Sequence, residues 1–177
     1  MSDKKQTDLI REEYMIRRQN MNRYTVNGEI KLEAAEGFQL MTAEEIAKLS
    51  SGDDSERFGL WDKERHVMFL VDAKKYSGLM LMMTDIQKIA KRNEELNRKL
   101  YTNLGYEAEG GFKREVGGLS AEGYRFSFHV ENANQSAVCL LVLHGKTVYR
   151  FTINGRTENR EENEALFAEI LDTIEFN

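Results

Sequence analysis

From residue 107 onward, apolar and polar positions alternate at the period of a strand. Tyr124, Phe126, Phe128 and Val130 are separated by Arg125, Ser127 and His129, a spacing that gives a strand one dry and one wetter face. Strands are expected at 107–116, 119–130, 136–143 and 147–156. Gly117 with Gly118, residues 131–135 and residues 144–146 join them, and connections this short force antiparallel neighbours. Residues 138–143 are apolar throughout, which predicts cover on both faces.

Elsewhere the period changes. Ile86, Ile89, Ala90, Leu96, Leu100 and Leu104 recur on one side of a long helix expected over 84–104, with Thr84 and Gln87 as its capping box and Gly105 as its stop. A second helix is expected over 160–173, with Leu166, Phe167, Ile170, Leu171 and Ile174 as its core stripe and Glu161, Glu162 and Glu164 near its start, where the helix dipole favours acids. A short capped helix follows Thr42, and residues 8–22 carry a weak apolar stripe of helical spacing. The remaining apolar segments, 37–41, 57–61, 65–71 and 78–83, read as strands. The Met-rich run at 79–83 and Trp61 are expected in the core.

Composition narrows this picture. The 177 residues include no proline and 13 glycines, so glycine and the Asn, Asp and Ser clusters must build the turns. The net charge of -5 disfavours a nucleic-acid footprint. Residues 1–24 differ from the rest: six bases face four acids. Asn27 and Gly28 close that appendage, giving an expected division into an N-terminal helical piece, 1–27, and one domain, 28–177. No apolar run is long enough to span a membrane, and no export signal is visible. One cysteine, Cys139, permits no intramolecular disulfide and no multi-cysteine zinc site. A reducing cytoplasmic setting, with no membrane partner, is the expectation.

The chemistry-bearing motifs are weak. Ser120 lies between Gly118 and Gly123, but the second glycine of a nucleophile elbow falls one residue too late and a hairpin surrounds it. Gly105 and Gly110 have the separation of a phosphate loop, yet Gly111 and Phe112 stand where Lys and Ser or Thr are required. His66, His129 and His144 have no metal-ligand spacing; His66 and His129 are expected in strands, and His144 in a solvent-facing turn. Cys139 lies in the most apolar strand, where burial disfavours a reactive thiolate. Adjacent acids such as Glu94 and Glu95 point apart on a helix and form no shared-proton pair. No catalytic, cofactor or metal residue is assigned.

Three stretches carry a resemblance. Residues 118–126 (GLSAEGYRF), 146–152 (KTVYRFT) and 165–176 (ALFAEILDTIEF), together with the long helix, are similar to PsbP-like domains over roughly residues 36–177. That family includes the extrinsic PsbP subunit of photosystem II, a Ran-binding nuclear import factor and many bacterial proteins. The resemblance implies an α+β fold, a three-layer α/β/α sandwich around an antiparallel sheet, here with an extra N-terminal helix. It also implies docking to other proteins more often than chemistry.

The leading expectation is thus a non-enzymatic cytoplasmic protein-interaction module without cofactors. Its candidate contacts are Arg11, Tyr14, Arg17 and Arg18 on the N-terminal helix and Lys91, Arg92 and Arg98 on the long one. The alternative is a small-ligand or enzymatic domain with a pocket between sheet and helix, lined by Tyr124, Phe126 and Met82. Homodimerisation through an edge strand or the N-terminal helix is a third expectation.

Overall fold

A computed structural model describes residues 20–49 and 55–177. Ten strands and four α-helices follow one another along these residues. Strands β1 (Met21–Val26) and β2 (Ile30–Ala35) form a hairpin around Asn27 and Gly28, both at positive φ, and β10 (Glu175–Phe176) pairs with the far side of β2. A larger sheet holds β3 (Gln39–Leu40), β4 (Glu56–Asp62), β5 (Val67–Lys75), β6 (Glu107–Val116), β7 (Leu119–Val130), β8 (Ala133–His144) and β9 (Thr147–Arg156). Its order is β3-β4-β5-β9-β8-β7-β6, antiparallel throughout.

The sequence alternation sets the two faces. Val67, Phe69, Val71, Leu140, Val142, Tyr149, Phe151 and Ile153 point to one face. Helix α4 (Arg160–Leu171) and the small sheet cover it with Phe167, Ile170, Leu171, Ile30 and Leu32. Tyr124, Phe126, Phe128, Ala137, Cys139, Leu141 and Val148 point to the other, where Ile89 and Ala90 of α3 (Ile86–Leu100) cover them. The protein is an α+β domain built on antiparallel sheets.

Helix α3 lies where it does because β5 sits mid-sheet while β6 forms the edge. Four strand spacings, about 19 Å, separate them. A helix of 15 residues spans about 22 Å, enough to carry the chain across β9, β8 and β7. A tight turn at Gly117 and Gly118, with φ of 55° and 79°, then returns it into β7, a backbone form that favours glycine.

Several expectations need correction. Residues 78–83 are a helix, α2 (Gly78–Met83), whose N-cap Ser77 accepts from the Met80 amide, and they are not core. Helix α3 is capped by Asp85, whose carboxylate accepts from the Lys88 amide, in place of the expected Thr84 box. Its Leu96, Leu100 and Leu104 are exposed, because the stripe against the sheet runs through Ile86, Ile89, Ala90, Asn93, Asn97 and Tyr101. Strand β8 starts at Ala133, so the loop before it shrinks to two residues. His66 sits in a turn at positive φ, His144 ends β8 with its ring 5.0 Å from that of Phe176, and Trp61 is half-buried. Of the expected N-terminal helix, residues 8–19 lie outside the described residues, and Met21 and Asn22 belong to β1. The Thr42 helix, α1 (Ala43–Lys48), carries the reciprocal bonds of a capping box with Glu45.

Candidate protein-docking surface

Helix α2 places Leu79, Met80, Met82 and Met83 in solvent, 70%, 48%, 85% and 76% exposed. Six residues give under two turns, and with five of them large and apolar no orientation of the helix could bury them all. The sequence flanking this knuckle is rich in cations. Residues 74–92 carry Lys74, Lys75, Lys88, Lys91 and Arg92 against the single acid Asp85, +4 within a chain of -5. The β8–β9 turn adds Lys146, whose carbonyl accepts the Tyr76 amide at 2.8 Å. Lys88 pairs with Asp85 at 3.7 Å. Lys75, Lys91, Arg92 and Lys146 are exposed and have no ion pair among the described residues.

Beside the knuckle, α3 covers only the β7–β8 half of its face and leaves a furrow over β9, β5 and β4. Two clefts occupy it. One of about 160 Å³ is bordered by Tyr76, Ile89, Arg92, Leu96, Val148 and Arg150; the other, about 110 Å³, by Leu70, Leu100, Tyr101, Phe126, Thr152 and Asn154. Asp72 and Arg150 border both. Strand register aligns Arg57, Asp72 and Arg150 across β4, β5 and β9. Arg57 Nε donates to Asp72 Oδ1 at 2.5 Å, and Arg150 donates through Nε and Nη2 to Oδ2 at 3.0 and 2.6 Å. Arg57 also donates to the Leu49 carbonyl at 2.6 Å. Two guanidiniums sharing one carboxylate leave a net positive floor. Burial works against the Arg150 charge, but Asp72 beside it prevails, and its proton is held more tightly than usual.

Deeper under α3 the chemistry is structural. Asn97 donates to the Tyr124 hydroxyl at 2.7 Å and that hydroxyl donates to Asn93 at 2.5 Å. Burial first, and then the neighbouring Cys139, push Tyr124 well above the ordinary phenol range. Cys139 is buried 3.4 Å from the Thr152 hydroxyl, and burial raises its thiol as well. A neutral thiol and a neutral phenol held this way pack and orient the helix; neither is poised as a nucleophile or base.

The sequence-named residues separate. Arg92 flanks the furrow beside Leu96. Arg98 lies on the opposite flank, 5.8 Å from the centre of the Tyr106 ring, and Lys91 is exposed. Phe126 borders a cleft, whereas Tyr124 is buried beneath α3 and Met82 is fully outside, so the expected pocket of Tyr124, Phe126 and Met82 does not assemble. Arg11, Tyr14, Arg17 and Arg18 lie outside the described residues. The Arg57, Asp72 and Arg150 cluster has no local motif; its signal is a charge interrupting an otherwise apolar strand. Among the described residues no group of three or more His, Cys, Asp or Glu could hold a metal ion, and no helix is long and apolar enough to cross a membrane.

Two sheets with helices on both faces in this order define the PsbP-like fold. The solution structure of cyanobacterial PsbP, CyanoP, from Synechocystis sp. PCC 6803 is similar to the chain with a TM-score of 0.68 at 8% identity, covering 89% of this chain and 93% of that one. LpqN, involved in cell envelope biogenesis of Mycobacterium tuberculosis, is similar with a TM-score of 0.60 at 16% identity, over 92% and 95%. A single-residue variant of Mog1 is similar with a TM-score of 0.58 at 12% identity, over 89% and 96%. At these identities the likeness is one of fold. No family model and no curated protein sequence matches the chain.

Proposed function

We propose that this chain is a non-enzymatic, cytoplasmic protein-interaction module that docks a partner on α2 and the Arg92 flank of α3. The observation that carries this reading is the exposure of Leu79, Met80, Met82 and Met83 in one short helix. Clustered exposed apolar side chains of this size mark interaction surfaces, and methionine adapts its shape to a partner. The +4 charge of residues 74–92, opposite in sign to the whole chain, favours a partner carrying acids around its own apolar patch. The resemblance to PsbP-like domains, used for docking more than for chemistry, agrees.

The small-ligand alternative, placed between the sheet and helix α3, finds little room there. Clefts of about 160 and 110 Å³ fall below the roughly 300–1,000 Å³ of small-molecule sites.

Capture from the source cells tests the proposal when three chains are compared: the natural one, Met82→Glu with Met83→Glu, and Leu40→Glu, whose leucine is also exposed, at 60%, but lies elsewhere. The expected result is one protein retained by the natural chain and by L40E and lost by the double variant, with circular dichroism unchanged. Equal capture by all three would refute it.

A further inference from the structure

The floor of the furrow is a ladder of paired residues. Across β5 and β9, Asp72 stands opposite Arg150, Leu70 opposite Thr152 and Met68 opposite Asn154. Alternate residues of a strand share a face, so neighbouring rungs are about 7 Å apart, and Arg150 and Asn154 about 13 Å. The rungs differ in chemistry: one end is charged, the middle apolar and the far end polar.

At the charged end, Arg150 gives Nε and Nη2 to Asp72, and Arg57 gives Nε to Asp72 and Nη1 to the Leu49 carbonyl. Arg150 Nη1 and Arg57 Nη2 make no hydrogen bond among the described residues. Arg92, exposed and unpaired among those residues, borders the same cleft as Arg150. Three guanidiniums thus stand against Asp72, the only acid among the described residues that border the two clefts.

The apolar middle is not used by the fold. Met68 and Leu70 are half-buried, and Leu96 and Leu100 are 62% and 56% exposed. All four border the clefts, and none joins either hydrophobic core. At the far end Asn154 Oδ1 is buried without a hydrogen-bond partner, in the same cleft as Leu70 and Leu100. A buried acceptor left unpaired is costly, and a ligand that brings a donor removes that cost.

We propose that this furrow binds an extended segment of a partner protein that carries an acidic residue and, two positions away, a large apolar one. The acid enters the cleft of about 160 Å³ against Arg92 and Arg150. An extended chain repeats a side every two residues, about 7 Å, the pitch of the floor itself. The apolar residue therefore falls on Leu70 and Leu100, and a donor two positions further on reaches Asn154. Charge and pitch together select the occupant, and clefts of this size suit single side chains better than a whole small molecule. The inference rests on the reading that this face docks a protein, and adds the local sequence it recognises.

Panning a phage-displayed library of random nine-residue peptides against the full chain tests it. The enriched peptides should share Asp or Glu two positions from a large apolar residue. A free peptide of that sequence, followed by fluorescence anisotropy, should bind about tenfold more weakly or worse once its acid is changed to the amide. The same loss is expected with Arg92→Glu or Leu100→Glu, both at exposed positions, whereas Arg98→Glu, on the opposite flank of α3, should leave binding unchanged. No enriched sequence, a consensus without the acid, or equal binding by Arg92→Glu would overturn the inference. Self-association of the chain that Arg92→Glu abolishes would give the furrow to a second copy and overturn it as well. Met82→Glu with Met83→Glu separates the two readings. That variant should lose the cellular partner yet still bind the peptide; capture lost with no acid-containing consensus would overturn the furrow alone, and a bound peptide with capture undiminished would overturn the role of α2 alone.

Discussion

Replacing Asp72 by alanine takes away the one acid that Arg57 and Arg150 share. The three side chains are 11%, 5% and 16% exposed, so the charges are largely withdrawn from water. Removing one partner of a buried ion pair costs about 3–5 kcal/mol, because the remaining charge keeps its burial and loses its compensation. Here two guanidiniums are stranded, but Arg57 retains the Leu49 carbonyl and Arg150 borders two clefts. Both features place the expected loss at the lower end, about 3 kcal/mol. For a chain of this length each kcal/mol moves the melting temperature about 2–4 °C, so Tm should fall by roughly 6–12 °C. Urea unfolding followed by circular dichroism measures it. Two further variants separate burial of charge from simple pairing. Arg23→Ala breaks a pair whose arginine is 87% exposed and should cost under about 1 kcal/mol. Joint replacement of Arg57, Asp72 and Arg150 by Met, Leu and Met should restore most of the stability, as hydrophobic substitutes for buried ion pairs do. A loss below about 1 kcal/mol for Asp72→Ala, or a triple variant as unstable as the single one, would refute the reasoning.

Gly117→Ala should cost about 2 kcal/mol or more, since its φ is 55° and a Cβ there would stand 2.7 Å from the Phe176 ring. Gly118→Ala, at φ 79° with open space around it, should lose only the backbone part, about 1 kcal/mol; equal losses in urea unfolding would contradict the Phe176 contact. Alkaline pH should destabilise the fold. Burial raises Tyr101, Tyr106 and Tyr124 above 10, with Tyr106 pushed up to about 12 by burial and by Glu94. The unfolded chain therefore releases protons first, and the stability these phenols contribute is fully present below about pH 10 and lost as pH rises above it, for Tyr106 between 10 and about 12. Ultraviolet phenolate absorbance should rise with unfolding; these three tyrosines ionising near 10 in the folded protein would contradict it. Cys139, buried with a raised thiol, should react with a thiol reagent at a rate set by opening of the fold, and prompt labelling in native buffer would show the Cys139 environment to be wrong.

The β meander was legible because its alternation is unbroken. Tyr124, Phe126 and Phe128 do share the face under α3, and β6, β7 and β9 run over the residues their alternation indicates. The α2 segment was not legible for the opposite reason. Residues 78–83 contain no polar position, so no period separates helix from strand; the one local signal is Ser77, which caps it. Helix α3, expected over 84–104, runs over Ile86–Leu100 with the first half of its expected stripe, Ile86, Ile89 and Ala90, on the sheet and the second half turned away from it. Two asparagines, Asn93 and Asn97, occupy its inner stripe to satisfy the Tyr124 hydroxyl, and so leucines that look like core are left outside. Of the interaction surface, Arg92 was visible as an outward cation, whereas the Arg57, Asp72 and Arg150 cluster arises only when strand register aligns three residues distant in sequence.

The docking surface itself is tested most directly by site-specific photo-cross-linking in the source cells, with a photoreactive residue replacing Met82, Lys91 or, as a remote control, Ser120. The account predicts one discrete protein adduct from positions 82 and 91, none from 120, and loss of the adduct at 82 when Lys75 and Arg92 are changed to glutamate. No protein adduct at 82, adducts to lipid alone, or equal adducts from all three positions would contradict it.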